Sequence, residues 1–323
     1  MRRESKKMSA TTVAATTTAT ARTRRSRLGS PQADRNRSSR LQLLFSVPAL
    51  VWFLVFTIGP LAALFYFSTL RWAGLIAPRV PTGPKNFTDL LVSPVFHTAI
   101  VNTVIQTVVS LPIVVVGAFL IAYYLNLKPR GHRFIRALLF TPVLLSASAL
   151  PMIFRGVFAP QGMLNGFFDA IGLHDLAKTT WLVSDNTALG VIIAVTIWGS
   201  TSVSAIMFTS RLNTLDTDVM EAAELDGCGH WRRIWLIAWP ICLDFIGVVT
   251  MLQFLYTVFS SGAVVLLLTK GGPINASTNL SFLVYDYAFN QSKVGLSQAV
   301  AVMLFVVGVV GLLLIRRLFK QRY

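Results

Sequence analysis

The feature that most constrains the fold of this chain is a set of six long apolar segments that contain no Asp, Glu, Lys or Arg. Each is long enough to cross about 30 Å of hydrocarbon as an α-helix. Only 13% of the 323 residues are charged, against about 25% in a typical soluble domain. The sequence therefore predicts an all-α, polytopic membrane protein with six transmembrane helices. The predicted spans are residues 41–70, 98–127, 137–154, 186–210, 245–269 and 294–315.

The third predicted span is the weakest, because it is the shortest and contains Pro142 and Pro151. A proline removes one backbone donor and frees the carbonyl one turn earlier. Membrane helices tolerate this where neighbouring helices or water satisfy the freed carbonyl. We therefore keep residues 137–154 as a predicted span.

The net charge of +16 is concentrated in an N-terminal tail, where residues 1–40 hold 11 Lys and Arg against only Glu4 and Asp34. The tail is rich in Thr, Ala, Ser and Arg, a composition typical of disordered segments. Because a membrane span follows directly, the charge is expected to keep the tail in the cytoplasm, in contact with anionic lipid rather than nucleic acid. The first apolar run exceeds the core of a cleavable signal peptide, so we interpret it as a retained helix.

The loops between the spans alternate in basic charge. Basic loops remain on the cytoplasmic side of a membrane. Six spans with both termini in the cytoplasm satisfy this rule throughout and predict a multi-pass protein of the cell membrane. The predicted division is a tail, residues 1–40, and a transmembrane domain, residues 41–320. The basic segments beyond the tail are 128–136, 211–233 and 316–322, and the less basic loops are 71–97, 155–185 and 270–293.

A charged island between the fourth and fifth spans is the most informative stretch of the chain. Residues 213–218 are rich in Asn, Thr and Asp, whose side chains cap helix N-termini. Gly227 is placed where a helix ends, because glycine adopts the left-handed C′ conformation at little cost. The pattern predicts a short helix stopped by Gly227 and a second helix beginning near His230, although composition alone also fits a plain helical loop. One narrow apolar face is predicted from the helical spacing of Leu215, Val219, Ala222 and Ala223.

The order of residues in this island resembles the motif of permease subunits of binding-protein-dependent ABC importers. Asp226, before the glycine, fits the commoner form of that motif. Two positions depart from it, because Trp239 stands where leucine is usual and Cys228 replaces a frequent alanine. The residues that match the motif and its spacing are Glu221, Ala222, Ala223, Gly227, Ile237 and Pro240.

The resemblance implies the fold of a type I ABC importer permease with a cytoplasmic coupling segment, residues 213–239. In that family a short helix of this segment docks in a cleft of a separate ATP-binding subunit. The implied partners are a second homologous permease subunit, two copies of the ATP-binding subunit and an extracytoplasmic substrate-binding protein. The residues implied in coupling to the ATPase are Glu221, Ala222, Ala223, Asp226 and Gly227.

Further marks extend the resemblance over residues 41–320. Residues 268–273, Leu-Thr-Lys-Gly-Gly-Pro, are followed by Thr278 and Tyr285 and resemble the first permease subunit of the maltose and sn-glycerol-3-phosphate branch. Asn102-Thr103 is similar to the entry of the second span in that branch. Taken alone, the Gly-Gly-Pro sequence is only a turn.

Polar side chains in the fourth and fifth spans are the candidate substrate site, because polar groups within a span usually face the bundle or a cavity. Aromatic, amide and hydroxyl groups together suit a sugar, and their positions resemble those that line the sugar site of maltose-type permeases. The alternative is ordinary helix packing, in which Ser and Thr are common. The last four of the candidates share one predicted helix face. The candidates are Trp198, Ser200, Gln253, Tyr256, Thr257 and Ser260.

Three alternatives to sugar import follow from the same spans. The fourth and fifth spans carry no Arg or Lys to bind a phosphate, which favours a neutral di- or oligosaccharide over glycerol-3-phosphate or its diesters. No span contains Asp or Glu, which argues against an ion-coupled secondary transporter. A membrane scaffold without transport would leave the polar helix faces unexplained.

The sequence does not indicate an enzyme. It contains no G-x-x-x-x-G-K-[ST] nucleotide motif, so ATP hydrolysis is expected from another chain. His-Glu-x-x-His, Gly-x-Ser-x-Gly and Cys-x-x-Cys are missing as well, and we expect no catalytic residue, metal or cofactor. Cys228 and Cys242 have no paired spacing and are predicted to carry free thiols.

Overall fold

The computed structural model describes residues 46–74, 76–215 and 217–319. The predicted tail, Asp216 and the last four residues lie outside the described residues. The described chain falls into two units, one ending at Ile58 and one beginning at Gly59. In the first unit, residues 46–58 are helical and exposed, and Trp52 and Phe56 place their ring centroids 4.2 Å apart.

The structure is a succession of helices with one short hairpin. The first elements are α1 (Ser46–Ser68), β1 (Leu70–Arg71), β2 (Val80–Pro81), α2 (Lys85–Leu91), α3 (Pro94–Asn126), α4 (His132–Leu144), α5 (Ala149–Val157), α6 (Met163–Ala170) and α7 (His174–Ala177). The next are α8 (Ala188–Leu212), α9 (Thr217–Leu225) and α10 (His230–Arg233), which continues through a π-helical turn (Ile234–Ala238) and a last turn (Trp239–Ile241). The last are α11 (Leu243–Ser260), α12 (Gly262–Leu268), α13 (Leu280–Tyr285) with a π-helical turn (Asp286–Asn290), and α14 (Val294–Leu318).

Among the described residues, five helices are individually long and apolar enough to cross a membrane, namely α1, α3, α8, α11 and α14. They overlap the first, second, fourth, fifth and sixth predicted spans, which confirms that these segments are membrane helices. The predicted fifth span is divided, because α11 ends at Ser260 and α12 begins at Gly262. The all-α prediction holds apart from the hairpin, in which Leu70 is paired with Pro81.

The predicted third span, residues 137–154, corresponds to a broken helix pair, and with this pair counted as one span the structure has the six predicted. The chain bends by 113° between α4 and α5, and only the two helices together are long and apolar enough to form a span. Pro142 lies in the last turn of α4, and Leu145 is extended with φ −84° and ψ 143°. At the start of α5 the Ala149 N–H donates both to the Ser146 carbonyl at 3.0 Å and to Ser146 Oγ at 3.1 Å, so this helix-terminal donor is satisfied.

Aromatic packing joins α3, α8 and α11 at the centre of the second unit. Phe119 of α3 meets Phe208 of α8 edge to face, with ring centroids 5.4 Å apart, and both side chains are fully buried. Ile246 of α11 belongs to the same cluster. Aromatic pairs of this kind contribute about 0.5–1.5 kcal/mol beyond the area they bury, so these three helices form a firm scaffold.

A buried polar cluster holds the N-terminal half of α3. Asn102 Nδ2 donates to the carbonyls of Ala276 at 2.9 Å and Thr278 at 2.8 Å. Asn279 Nδ2 donates to Gln106 Oε1 at 3.0 Å and to Ser261 Oγ at 2.9 Å. Paired polar groups of this kind fix their elements because unpaired ones are costly in an apolar interior. We define the polar cluster as Asn102, Thr103, Gln106, Thr196, Ser261 and Asn279.

Candidate functional site

The helix predicted from the charged island is α9, and it ends as predicted. Gly227 has φ +74°. Its N–H donates to the Glu224 carbonyl at 3.0 Å, and the Cys228 N–H donates to the Ala223 carbonyl at 2.9 Å. These two bonds form a Schellman motif, which closes a helix at a left-handed C′ residue. The second predicted helix also begins at its predicted position, since α10 starts at His230.

One face of α9 is buried and the opposite face is exposed. Met220 packs against the core of the membrane helices, and Ala223 is buried beside it. Val219 and Ala222 are exposed, so the predicted single apolar face is wrong. The physical reason is that burying the large Met220 side chain removes more apolar surface from water than burying Ala222 would. Leu225, which the sequence reasoning missed, is 89% exposed on the outer face.

The two glutamates of α9 are engaged differently. Glu224 Oε2 accepts a hydrogen bond of 2.8 Å from Arg233 Nη1. Glu221 is exposed and has no hydrogen-bond or ion-pair partner among the residues that the structure describes. Asp226 is likewise exposed, next to the Gly227 turn. Of the predicted coupling residues, the acidic ones therefore point to water, while Ala223 faces the protein.

A cavity of about 460 Å³ lies between the broken helix pair and the helices α8, α11 and α12. Ligand cavities in proteins commonly measure about 300–1,000 Å³. Three predicted substrate residues line this cavity, namely Ser200 on α8 and Gln253 and Tyr256 on α11. The remaining lining is mainly apolar, with Ser146 and Ser204, and these described lining residues include no charged side chain.

Polar groups of this cavity are oriented but incompletely paired. Gln253 Nε2 donates to Thr257 Oγ1 at 3.3 Å, which holds the amide in one orientation. Ser200 Oγ is buried and has no hydrogen-bond partner among the described residues. A buried unpaired hydroxyl costs about 1–3 kcal/mol, so a ligand that bonds to Ser200 would recover this free energy. Tyr256 lines the cavity and is 40% exposed.

The other three predicted substrate residues do not line the cavity. Trp198 packs edge to face on a phenylalanine of α5, with ring centroids 5.1 Å apart. Thr257 is fully buried and supports Gln253, whereas Ser260 is exposed. The predicted shared helix face holds in part, because Gln253 and Tyr256 line the cavity and Thr257 bonds to Gln253, whereas Ser260 lies outside it at the end of the π-helical turn of α11. A π turn bonds to the fifth residue rather than the fourth, which rotates the following side chains.

Sequence reasoning missed the contribution of the broken helix pair to the cavity. The two prolines at the break were an available signal, because they disrupt helical bonding at both sides of it. The direction of the bend, toward α8, is set by tertiary packing and has no sequence signature. The missed lining residues are Pro142, Val143, Leu145, Ser146, Ala147, Leu150 and Pro151.

Both cysteines carry free thiols. Burial raises the pKa of the Cys242 thiol, and the nearby Arg211 opposes this effect. The thiol is therefore held in its protonated, less reactive form. Within the described ranges there is no group of His, Cys, Asp and Glu suited to bind a metal ion.

Comparison with known proteins gives one family. Residues 91–322 match the family described as "Binding-protein-dependent transport system inner membrane component". The chain is 31% identical to "Probable ABC transporter permease protein YurN" of Bacillus subtilis (strain 168), over 88% of this chain and 98% of the relative. It is 31% identical to "Multiple sugar-binding transport system permease protein MsmF" of Streptococcus mutans, over 84% of this chain and 93% of the relative. The fold is similar to a chain in the crystal structure of a bacterial alginate ABC transporter in complex with alginate pentasaccharide-bound periplasmic protein, with a TM-score of 0.75, 20% identity, and coverage of 91% of this chain and 99% of that one.

Proposed function

The chain belongs to the family of binding-protein-dependent transport system inner membrane components, and from this premise we propose that it is the permease subunit of an ATP-driven importer for a di- or oligosaccharide. The observation that carries the proposal is the 460 Å³ cavity with Ser200, Gln253 and Tyr256 in an apolar lining. A sugar presents an apolar ring face and many hydroxyl groups, so apolar walls with a few directed polar groups suit it.

The charge of the cavity favours a neutral cargo. A phosphate group would call for Arg or Lys, which form strong charge-assisted hydrogen bonds with it. The described lining offers hydroxyl and amide groups only. This favours a sugar over glycerol-3-phosphate or a glycerophosphodiester, and the sugar-binding system of the MsmF relative supports the same choice.

We propose that α9 docks on a separate ATP-binding subunit. Glu221 is exposed and free to meet a basic group, Ala222 permits close approach, and Leu225 offers an apolar anchor. Asp226 and Gly227 set the end of this docking helix. Two copies of the ATP-binding subunit would serve this chain and a second permease, and an extracytoplasmic substrate-binding protein would deliver the cargo.

The cavity also supports a second permease subunit as partner. Val203 and Leu252 line the cavity and are 49% and 48% exposed, so one side is open in the single chain. A homologous subunit facing this side would complete the wall. In the proposed orientation residues 41–320 form the transmembrane domain and both termini of the chain are cytoplasmic. The tail, residues 1–40, and the coupling segment, residues 213–239, therefore lie on the same side of the membrane as the ATP-binding subunits.

Reconstitution of the whole importer tests the proposal. The permease, its partner permease, the ATP-binding subunits and the binding protein are placed in proteoliposomes and screened with neutral oligosaccharides and glycerol-3-phosphate. We expect a neutral sugar to stimulate ATP hydrolysis and uptake, with no effect of a protonophore. Preference for glycerol-3-phosphate, or uptake that follows a proton gradient without ATP, would contradict it.

Two variants test the cavity itself. Gln253→Ala and Tyr256→Ala should each lower transport about tenfold, the equivalent of one hydrogen bond or ring contact with the cargo. Tyr124→Ala is the matched control for Tyr256, because Tyr124 is 44% exposed on α3 and does not line this cavity. Gln298→Ala is the matched control for Gln253, because Gln298 lies on α14 and does not line this cavity. Unchanged transport kinetics in both cavity variants would place the cargo elsewhere.

A further inference from the structure

Arg233 is the one buried charged side chain among the described residues, with 6% of its surface exposed. Burying a guanidinium costs several kcal/mol, which partners recover only when the geometry is favourable. Here the pairing is incomplete. Nη1 donates to Glu224 Oε2 at 2.8 Å, Nη2 lies 3.2 Å from His230 Nδ1, and Nε is buried without a partner. Stability alone therefore gives little reason for an arginine at this position.

The guanidinium lies where four helices converge. Arg233 on α10 and Glu224 on α9 line a cavity of about 410 Å³, together with Tyr123 of α3 and Leu212 of α8. Arg233 is buried and the Glu224 side chain is 70% exposed, so the ion pair runs from the protein interior to the surface. The pair thus connects the docking helix to the membrane helices.

The turn that joins α9 to α10 has few contacts with the rest of the protein. It contains Gly227 and Gly229, and neither has a non-neighbouring atom within 4 Å of the position a Cβ would take. The Schellman bonds close the end of α9 itself, whereas the direction in which α10 leaves the turn also depends on Gly229, and glycine has the widest choice of backbone conformations. The Arg233–Glu224 pair spans the turn from the side.

We propose that Arg233 is a positioning residue whose ion pair with Glu224 fixes the angle between α9 and α10. Movement of the docked α9 is then passed into α10 and α11 instead of being absorbed at the Gly227 turn. The inference rests on the proposed function, because it takes α9 as the helix that docks on the ATPase. The two glutamates have separate roles, since Glu224 holds α9 to the permease and Glu221 binds the partner.

The test measures cargo transported per ATP hydrolysed by the complete complex in proteoliposomes. Glu224→Gln removes the charge at a side chain that is 70% exposed, so folding is expected to tolerate it. We expect the transport ratio to fall about fivefold or more, within the usual range of coupling between two sites, while ATP hydrolysis continues. Arg233→Lys keeps the charge but loses the planar fork, and should give an intermediate ratio.

The matched control is Asp169→Asn. It alters the contact between Asp169 Oδ1 and His174 Nδ1, which is 2.8 Å long like the Arg233–Glu224 bond but joins two exposed side chains. Its transport ratio should equal that of the wild type. A wild-type ratio in Glu224→Gln would overturn the inference, and so would losses of uptake and ATP hydrolysis that simply follow the amount of assembled complex. Absence of ATP-dependent uptake in the wild-type complex would instead contradict the proposed function, so the two failures are distinguishable.

Discussion

Two regions that lie beside α3 are held by different means. Near the N-terminus of α3 the polar cluster joins this helix to residues 276–280, and Asn279 to Ser261 between α11 and α12, through buried hydrogen bonds. Near the C-terminus of α3, the helix α9 is held by the glycine turn, by the packing of Met220 and by the Arg233–Glu224 pair. Buried paired networks rigidify a structure, whereas segments with few buried contacts open at low free energy. The polar cluster therefore anchors the N-terminal half of α3 firmly, whereas α9, the proposed docking helix, can move more easily.

Reversing the charge of Glu221 should have the largest effect. At a desolvated interface the loss of one charged partner costs about 2–5 kcal/mol, so Glu221→Lys is expected to abolish ATP-driven uptake. Because Glu221 is exposed, the amount of inserted protein and its thermal unfolding temperature should not change. Asp175→Lys, a similar reversal on the exposed α7, is the control. Wild-type uptake by Glu221→Lys would remove α9 as the docking helix.

Replacement of Asn279 tests the anchored end. Asn279→Leu removes a hydrogen bond of 2.8 Å to the Phe282 N–H and leaves Gln106 Oε1 without its donor. The expected loss is about 3 kcal/mol of unfolding free energy, measured by thermal or denaturant unfolding in detergent. Asn290→Leu, at an exposed position, should cause little change. Equal stability of the two variants would show that the polar cluster does not anchor α3.

A smaller effect is expected at the glycine turn. Gly227→Ala forces a residue with a Cβ to keep φ +74°, at a cost of about 1 kcal/mol, although no atom obstructs the side chain. Hydrogen exchange of the α9 amides should become faster while α3 is unaffected. Gly229→Ala is the control, because Gly229 has φ −66° and equally open surroundings. Faster exchange in both variants would mean that the turn itself, rather than its left-handed residue, holds α9.

Part of the candidate site was predictable from local chemistry. Gly227 ends α9 because the C′ position favours glycine in any context, so its role follows from the sequence alone. Gln253 and Tyr256 were found because polar groups within a span require a cavity or a partner. Ser260 was misplaced because a π turn leaves no simple mark in the residue pattern. Arg233 was missed because its burial depends on how α10 meets α3.

The sequence by itself determined the membrane class, five of the spans, the helix pair around Gly227 and the family. The physical reason is local: apolar segments in lipid must satisfy their own backbone hydrogen bonds, so length and composition suffice to specify helices. Only the tertiary structure decided that α4 and α5 break to form a cavity wall, and that Glu224 is paired while Glu221 is free. Those outcomes depend on helix rotation and bending, which are set by packing between segments far apart in the chain.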